Sequence, residues 1–344
     1  MEVDEVVEGE RLPWVEKYRP QTLGDVCSHQ EIVMTLQKWI STNQLPHMLF
    51  YGPPGTGKTT SILALARMLF TEKQRNSMVL ELNASDDRGI NVVRDEIVTF
   101  AQTKGLHSFG GDPTAKTNVK LVILDEADAM TKDAQNALRR VIEKYTENVR
   151  FCIICNYLSS IIPAIQSRCT RFRFAPLDPA LVGPRIDYVV EKERVDLTPD
   201  GKEALLELSG GDMRRVLNVL QSSSMAFTHV DSSAVYACVG QPTPKEMEAL
   251  LRILLNDSFA TACTKIHSNF ITKGYALADI VTRLHDLVYQ MVVPAEVIGQ
   301  LVVALADTEQ RLAVGCSDRI QTAGLVSAFV KARAAIGEYG KKGR

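Results

Sequence analysis

The chain has 344 residues, 45% of them hydrophobic and 23% charged, which is the balance of a globular protein too long for one ordinary core and suited to roughly two to three domains. A net charge of -2 excludes a polybasic protein that holds nucleic acid through its global field, so any contact with a phosphate backbone falls to a local basic face. Seven scattered cysteines, an odd number, exclude a disulfide scaffold and point to a reducing compartment.

Residues 1–11 are acidic (Glu2, Asp4, Glu5, Glu8, Glu10) and lack periodicity, so they are expected to be disordered, and they carry no signal-peptide pattern. From Trp14 to about 175, apolar strands alternate with helical patterns. Strands are expected at 48–51, 78–83, 120–125, 150–155 and 172–174, and helices at 58–70, 89–103 and 132–145. Such alternation implies a parallel sheet covered on both faces. Between Thr103 and Asn118 the glycines 105, 110 and 111 with Asp112-Pro113 mark a long loop. Cys152 and Cys155 spell C-x-x-C, but inside a strand and without a second pair; buried thiols are the expectation, not zinc.

After Pro176 the strand signal disappears. Helical patterns occupy 179–193, 199–208, 212–227 and 232–239, with Thr198 or Asp200 as a cap for the second. Gly240-Gln241-Pro242-Thr243-Pro244 reads as a linker, and five more helices follow, near 245–256, 258–272, 275–291, 295–313 and 320–337. The expected division is a tail over 1–11, an α/β domain over 12–176, a helical lid over 177–240 and an all-α segment over 245–338. No segment is long and apolar enough to span a membrane.

Gly52-Pro53-Pro54-Gly55-Thr56-Gly57-Lys58-Thr59, followed by Thr60, matches the phosphate-binding loop G-x-x-x-x-G-K-[ST]. It lies between an apolar strand and a helical pattern, the setting in which that string has a mechanism. Glycines let backbone N–H groups turn in around phosphates, Lys58 reaches the β and γ oxygens, and the Thr59 hydroxyl ligates Mg²⁺. A nucleoside triphosphate is the expected ligand.

The apolar run Leu121-Val122-Ile123-Leu124 ends on Asp125-Glu126-Ala127-Asp128, at the strand edge where α/β sheets place ligands. Asp125 is expected in the Mg²⁺ shell and Glu126 on the attacking water. Asn156 ends the next strand, either as a turn residue or as a group that positions that water. Arg168, in Ser167-Arg168-Cys169, is a solvated charge or an arginine finger that completes a neighbouring subunit's site. Arg214 and Arg215 stand near a helix start, where cations are disfavoured unless an anion is bound. Arg88 and Arg94 flank another helix start and are candidates for tracking a DNA backbone, with plain solvation as the alternative.

Taken together, Leu12-Pro13-Trp14-Val15-Glu16-Lys17-Tyr18-Arg19-Pro20, the phosphate loop, Leu82 through Gly89, Asp125 through Asp128, Gln135 through Arg140, Ser167-Arg168-Cys169 and Gly211-Asp212-Met213-Arg214 stand in one order. In that order they resemble the small subunits of replication factor C, the eukaryotic sliding-clamp loader of the AAA+ ATPase superfamily. The resemblance runs from about 12 to 335. Residues 211–222, and Lys273-Gly274 with Ala276-Leu277, look most like one particular small subunit. The resemblance implies an AAA+ P-loop parallel sheet flanked by helices, then a helical lid and a collar that holds a five-member ring. It implies ATP and Mg²⁺ as cofactors, and as partners the other replication factor C subunits, a PCNA-type sliding clamp and primer–template DNA, in the nucleus, during replication and repair. It further implies Val15, Tyr18 and Arg19 around adenine, Asn156 as sensor 1, Arg214 as sensor 2 and Arg168 as the finger acting in trans. Leu106 and Phe109, in the loop where the family contacts its clamp, are the anchors expected there. Two rival readings stay open at this point: a DNA helicase or branch-migration motor, and a nucleotide-binding structural subunit with little turnover.

Overall fold

The computed structural model describes residues 12–26, 28–42, 44–85, 90–103 and 119–342, without the side chains of 90–94 and 337–342. The chain forms two compact units, 1–225 and 226–344. The expected lid, 177–240, is divided between them.

In the first unit a five-stranded sheet is built from β1 (Met48–Tyr51), β2 (Val79–Asn83), β3 (Lys120–Asp125), β4 (Val149–Cys155) and β5 (Thr170–Arg173). Their spatial order is β2-β3-β4-β1-β5 and every pairing is parallel. Successive side chains point to opposite faces of a strand, and on the central strands β3, β4 and β1 both faces are buried. Met48, Phe50, Leu121, Ile123, Cys152 and Ile154 join one core with the helices α2 (Gln30–Thr42) and α3 (Lys58–Leu69). Leu49, Val122, Leu124, Phe151, Ile153 and Cys155 join the other, with α5 (Ile90–Gln102), α6 (Lys132–Tyr145) and α7 (Pro163–Gln166). Cys152 and Cys155 thus lie on opposite faces of one strand, both buried and both free thiols.

Three features depart from the periodicity reading. The short helices α1 (Trp14–Lys17) and α4 (Glu72–Met78) have too few turns to show a 3.6-residue period. Helix α4 instead announces itself by a capping box, Thr71 with Gln74. Helix α2, absent from the periodicity reading, is two-faced all the same: Leu36 is buried in the core, and Ile32, Val33, Trp39 and Ile40 pack against it. The last strand starts two residues earlier than expected and stops at Arg173. Phe174 still donates its N–H to Tyr51 O at 2.8 Å, just past the strand end.

Beyond the sheet the first unit carries α8 (Pro179–Glu193), α9 (Pro199–Ser209) and α10 (Met213–Ala226). Thr198, not Asp200, caps α9 by accepting from Gly201 N. The second unit is all-helical: α11 (Ser232–Val239), α12 (Pro244–Asn256), α13 (Phe259–Ile266), α14 (Leu277–Tyr289), α15 (Ala295–Ala313) and α16 (Asp318–Lys342). The helix expected over 258–272 leaves α geometry after Ile266 and ends in a π turn, His267–Ile271. Leu250, Leu284, Leu301 and Phe329 lie in one core of that unit.

Candidate nucleotide-binding site

At the C-terminal end of β1 the backbone turns through 52–57 into α3, whose N-cap is Gly57 at φ 93°. A glycine cap has no side chain, so no side-chain acceptor serves the first-turn N–H groups of α3. Those donors and the helix dipole make this end an anion receptor. Lys58 opens the helix and is only 7% exposed. Its Nζ donates to Gly52 O at 2.7 Å, Pro53 O at 2.8 Å and Asn156 Oδ1 at 3.0 Å. Burial lowers the pKa of the ammonium, and the nearby Asp125 carboxylate opposes that shift.

The neighbouring β3 and β4 bring the acidic side of the site. Thr59 Oγ1 donates to Asp125 Oδ2 at 2.7 Å, which unites two oxygen donors of the kind Mg²⁺ takes. Glu126 follows at φ 53°, in the left-handed region, with its N–H bonded to Asp125 Oδ1 at 2.9 Å and its side chain exposed. That backbone conformation is costly for a residue with a Cβ, and it is one that recurs at functional turns. Asp128 Oδ2 accepts from Asn156 N at 3.2 Å and so ties the turn after β3 to the end of β4.

The segment around α1 and the helices α8 and α10 supply the remaining walls. Val15, Tyr18 and Arg19 line a cavity of about 280 Å³, together with Pro54, Gly55, Thr56, Gly57, Lys58, Thr59, Thr60, Asp125, Glu126, Asn156 and Arg214. Of the phosphate-loop residues, Gly52 and Pro53 are not among the lining residues; their carbonyls hold Lys58 instead. Tyr18 is fastened twice: its hydroxyl donates to Glu193 Oε1, and its carbonyl accepts from Arg185 Nη2 at 2.7 Å. Lys17 Nζ reaches the same Glu193 oxygen at 2.6 Å. Burial and then the bond to Glu193 push the Tyr18 phenol well above its ordinary range, so it stays protonated.

The start of α10 differs from its sequence reading. The helix begins at Met213, and Asp212 Oδ1 accepts from Arg214 N at 2.8 Å and Arg215 N at 3.2 Å. The two cations therefore follow an acidic cap that offsets their poor position against the dipole. Met213 N donates to Gly55 O at 3.3 Å, a direct backbone link from this helix to the phosphate loop.

Arg185, Asp212 and Glu193 are the residues that sequence reasoning missed. Only Asp212 carried a local signal, an acid just before a helical run. Arg168 is not among the residues around the cavity; it is half-exposed beside Glu143 on α6. Arg88, Leu106 and Phe109 lie outside the described residues, as does the side chain of Arg94.

A family model described as the replication factor C C-terminal domain matches residues 242–328, and one described as the DNA polymerase III delta subunit matches 28–178. A protein of Caenorhabditis elegans named probable replication factor C subunit 5 is 58% identical, over 94% of this chain and 88% of its own. The mouse protein named replication factor C subunit 5 is 56% identical over 92% of this chain and 91% of its own. Replication factor C subunit 3 of Saccharomyces cerevisiae is 46% identical over 93% of each. Among solved structures, a RuvB mutant of Thermotoga maritima is similar in fold, with a TM-score of 0.51 at 11% identity over 78% of this chain and 91% of that one. With its AAA+ type sheet, and with relatives this similar over nearly its whole length, the chain belongs to the replication factor C subunit family of P-loop ATPases.

Proposed function

We propose that this chain is an ATP-binding and ATP-hydrolysing subunit of a heteropentameric clamp loader, which opens a PCNA-type sliding clamp and loads it onto primer–template DNA in the nucleus. The observation that carries this reading is the convergence of Lys58, Thr59, Asp125 and Asn156, from three elements, on one cavity in a chain of the replication factor C family. The donors suit a nucleoside triphosphate with its metal. An uncapped helix start faces the loop, a buried ammonium is satisfied only by oxygens, and a hydroxyl–carboxylate pair of hard oxygen ligands stands beside it.

In this reading the α3 N-terminus and Lys58 bind the phosphates, exchanging carbonyl oxygens for phosphate oxygens. Thr59 and Asp125 would hold Mg²⁺, which would neutralise charge on the phosphates. Glu126 orients the attacking water, and Asn156, bonded to Lys58, places its amide next to that reaction. Val15, Tyr18 and Arg19 border the base, and Arg214 approaches the phosphates from α10. Arg168, which does not line this cavity, acts on the nucleotide of a neighbouring subunit. Arg88 and Arg94 track the DNA backbone, and Leu106 and Phe109 anchor the clamp. Full turnover is expected only in the assembly, since a finger must come from outside.

Native mass measurement of the purified complex with its clamp tests the proposal. The expected result is one copy of this chain among five loader subunits, with the clamp bound when ATP is present. A stable homo-oligomer that ignores the clamp would contradict it.

A further inference from the structure

Arg168 is held by two oxygens outside the nucleotide cavity. Its Nη2 meets Glu143 Oε1 at 2.5 Å, and its Nη1 donates to Ala164 O at 2.6 Å. The backbone beneath it is fixed as well: Arg168 N donates to Ile165 O at 3.0 Å, and the next residue, Cys169, is buried. Glu143 lies on α6 and has a second cation at hand, Arg139, whose Nε is 3.7 Å from the same oxygen. That Nε is buried and has no hydrogen-bond partner among the described residues. One carboxylate oxygen is thus shared by two guanidiniums, and among the described residues only Arg168 approaches it to hydrogen-bond distance.

From this geometry we infer that Glu143 is the positioning residue of Arg168, holding its guanidinium in one place before a neighbouring subunit arrives. The inference rests on the proposed reading of Arg168 as acting in trans. Arginine side chains lose much rotamer freedom when they engage a phosphate, and a side chain already fixed at two nitrogens loses less. The pair is about two-fifths exposed on each side, so it is weak enough to be shared with an incoming phosphate without being a trap. A guanidinium carries five N–H donors, and those not committed to Glu143 and Ala164 remain for the phosphoryl oxygens. The carboxylate also draws part of the finger's charge. Position and charge therefore work against each other, and the two can be separated by substitution.

The test uses the full complex, with hydrolysis measured at the one site that this chain's Arg168 adjoins. Glu143→Ala is expected to lower kcat there by about ten- to a hundredfold with little change in KM. Glu143→Gln keeps an oxygen acceptor and is expected to recover most of that loss. Arg168→Ala lowers the rate by about 10³-fold or more. The Glu143→Ala/Arg168→Ala double variant should be no slower than Arg168→Ala alone, because a residue that acts only through the finger has nothing left to position. A double variant in which the two losses multiply would overturn the role of Glu143. So would a full effect of Arg168→Ala beside a silent Glu143→Ala. A silent Arg168→Ala would overturn the trans reading itself, and the inference with it.

Discussion

Lys58 shows how one buried side chain organises a site. An ammonium that is 7% exposed is costly unless oxygens surround it, and here Gly52, Pro53 and Asn156 supply them. At the opposite end of β1, His47 is the contrasting case. Its Nδ1 accepts from Phe151 N at 3.2 Å, while its Nε2 is buried without a partner among the described residues. Burial, with the nearby Arg150 cation in second place, lowers its pKa to about 4. Because the folded value lies below the unfolded value of about 6.5, the contribution of the neutral ring to stability is complete above about 6.5 and is lost as pH falls toward 4. The shift corresponds to an effect on the order of 3 kcal/mol across that window. His47→Gln, which keeps an acceptor for Phe151 N, should therefore be less sensitive to acid. Denaturation followed by the fluorescence of Trp14 and Trp39 checks this, since both tryptophans lie in the same unit as His47. Equal acid sensitivity of variant and parent between pH 7 and 5 would contradict it.

At the scale of elements, the phosphate loop and α10 are built as a fitted pair. Gly55 sits at φ 69°, and a Cβ placed there would fall 1.6 Å from Asp212 Oδ1. Asp212 has little freedom to retreat, because the same oxygen caps α10. Gly55→Ala should therefore combine left-handed strain with loss of a cap, about 2 kcal/mol in all. Gly57→Ala, at φ 93° with open space around the added carbon, should cost only the backbone term. Parallel unfolding curves for the two variants decide the matter, and equal losses would mean that Asp212 is not held by its cap. The sheet and the loop were legible in the sequence because they are local: an apolar run, a glycine string, a lysine and a threonine within a dozen positions. The bond from Lys58 to Asn156, 98 residues away, was not, since nothing in either segment encodes its partner. The clasp of Tyr18 by Glu193 and Arg185 escaped for the same reason: an acid and an arginine on an amphipathic helix look like solvated surface until the fold brings another segment to them. Asn156 itself was ambiguous between a turn residue and a site residue, and its bond to Lys58 is what the proposed reading takes up.

For the whole molecule, two compact units divide the phosphate loop and its cavity from a helical body. The fold likeness to RuvB covers most of the chain, but at 11% identity it speaks for architecture alone, while the replication factor C relatives match at 46–58%. What distinguishes a loader from a motor on a shared sheet is what hydrolysis accomplishes, and in the proposed reading it releases clamp and DNA. The direct measurement is clamp loading by a complete complex in which only this chain carries Glu126→Gln. Lys58, Thr59 and Asp125 are untouched, so ATP affinity at this site should remain within about twofold while its hydrolysis falls by about a hundredfold or more. The clamp should open and close on primer–template DNA yet stay bound to the loader. Loss of ATP binding in the variant, or unchanged hydrolysis at this site with normal release of the clamp, would contradict the account.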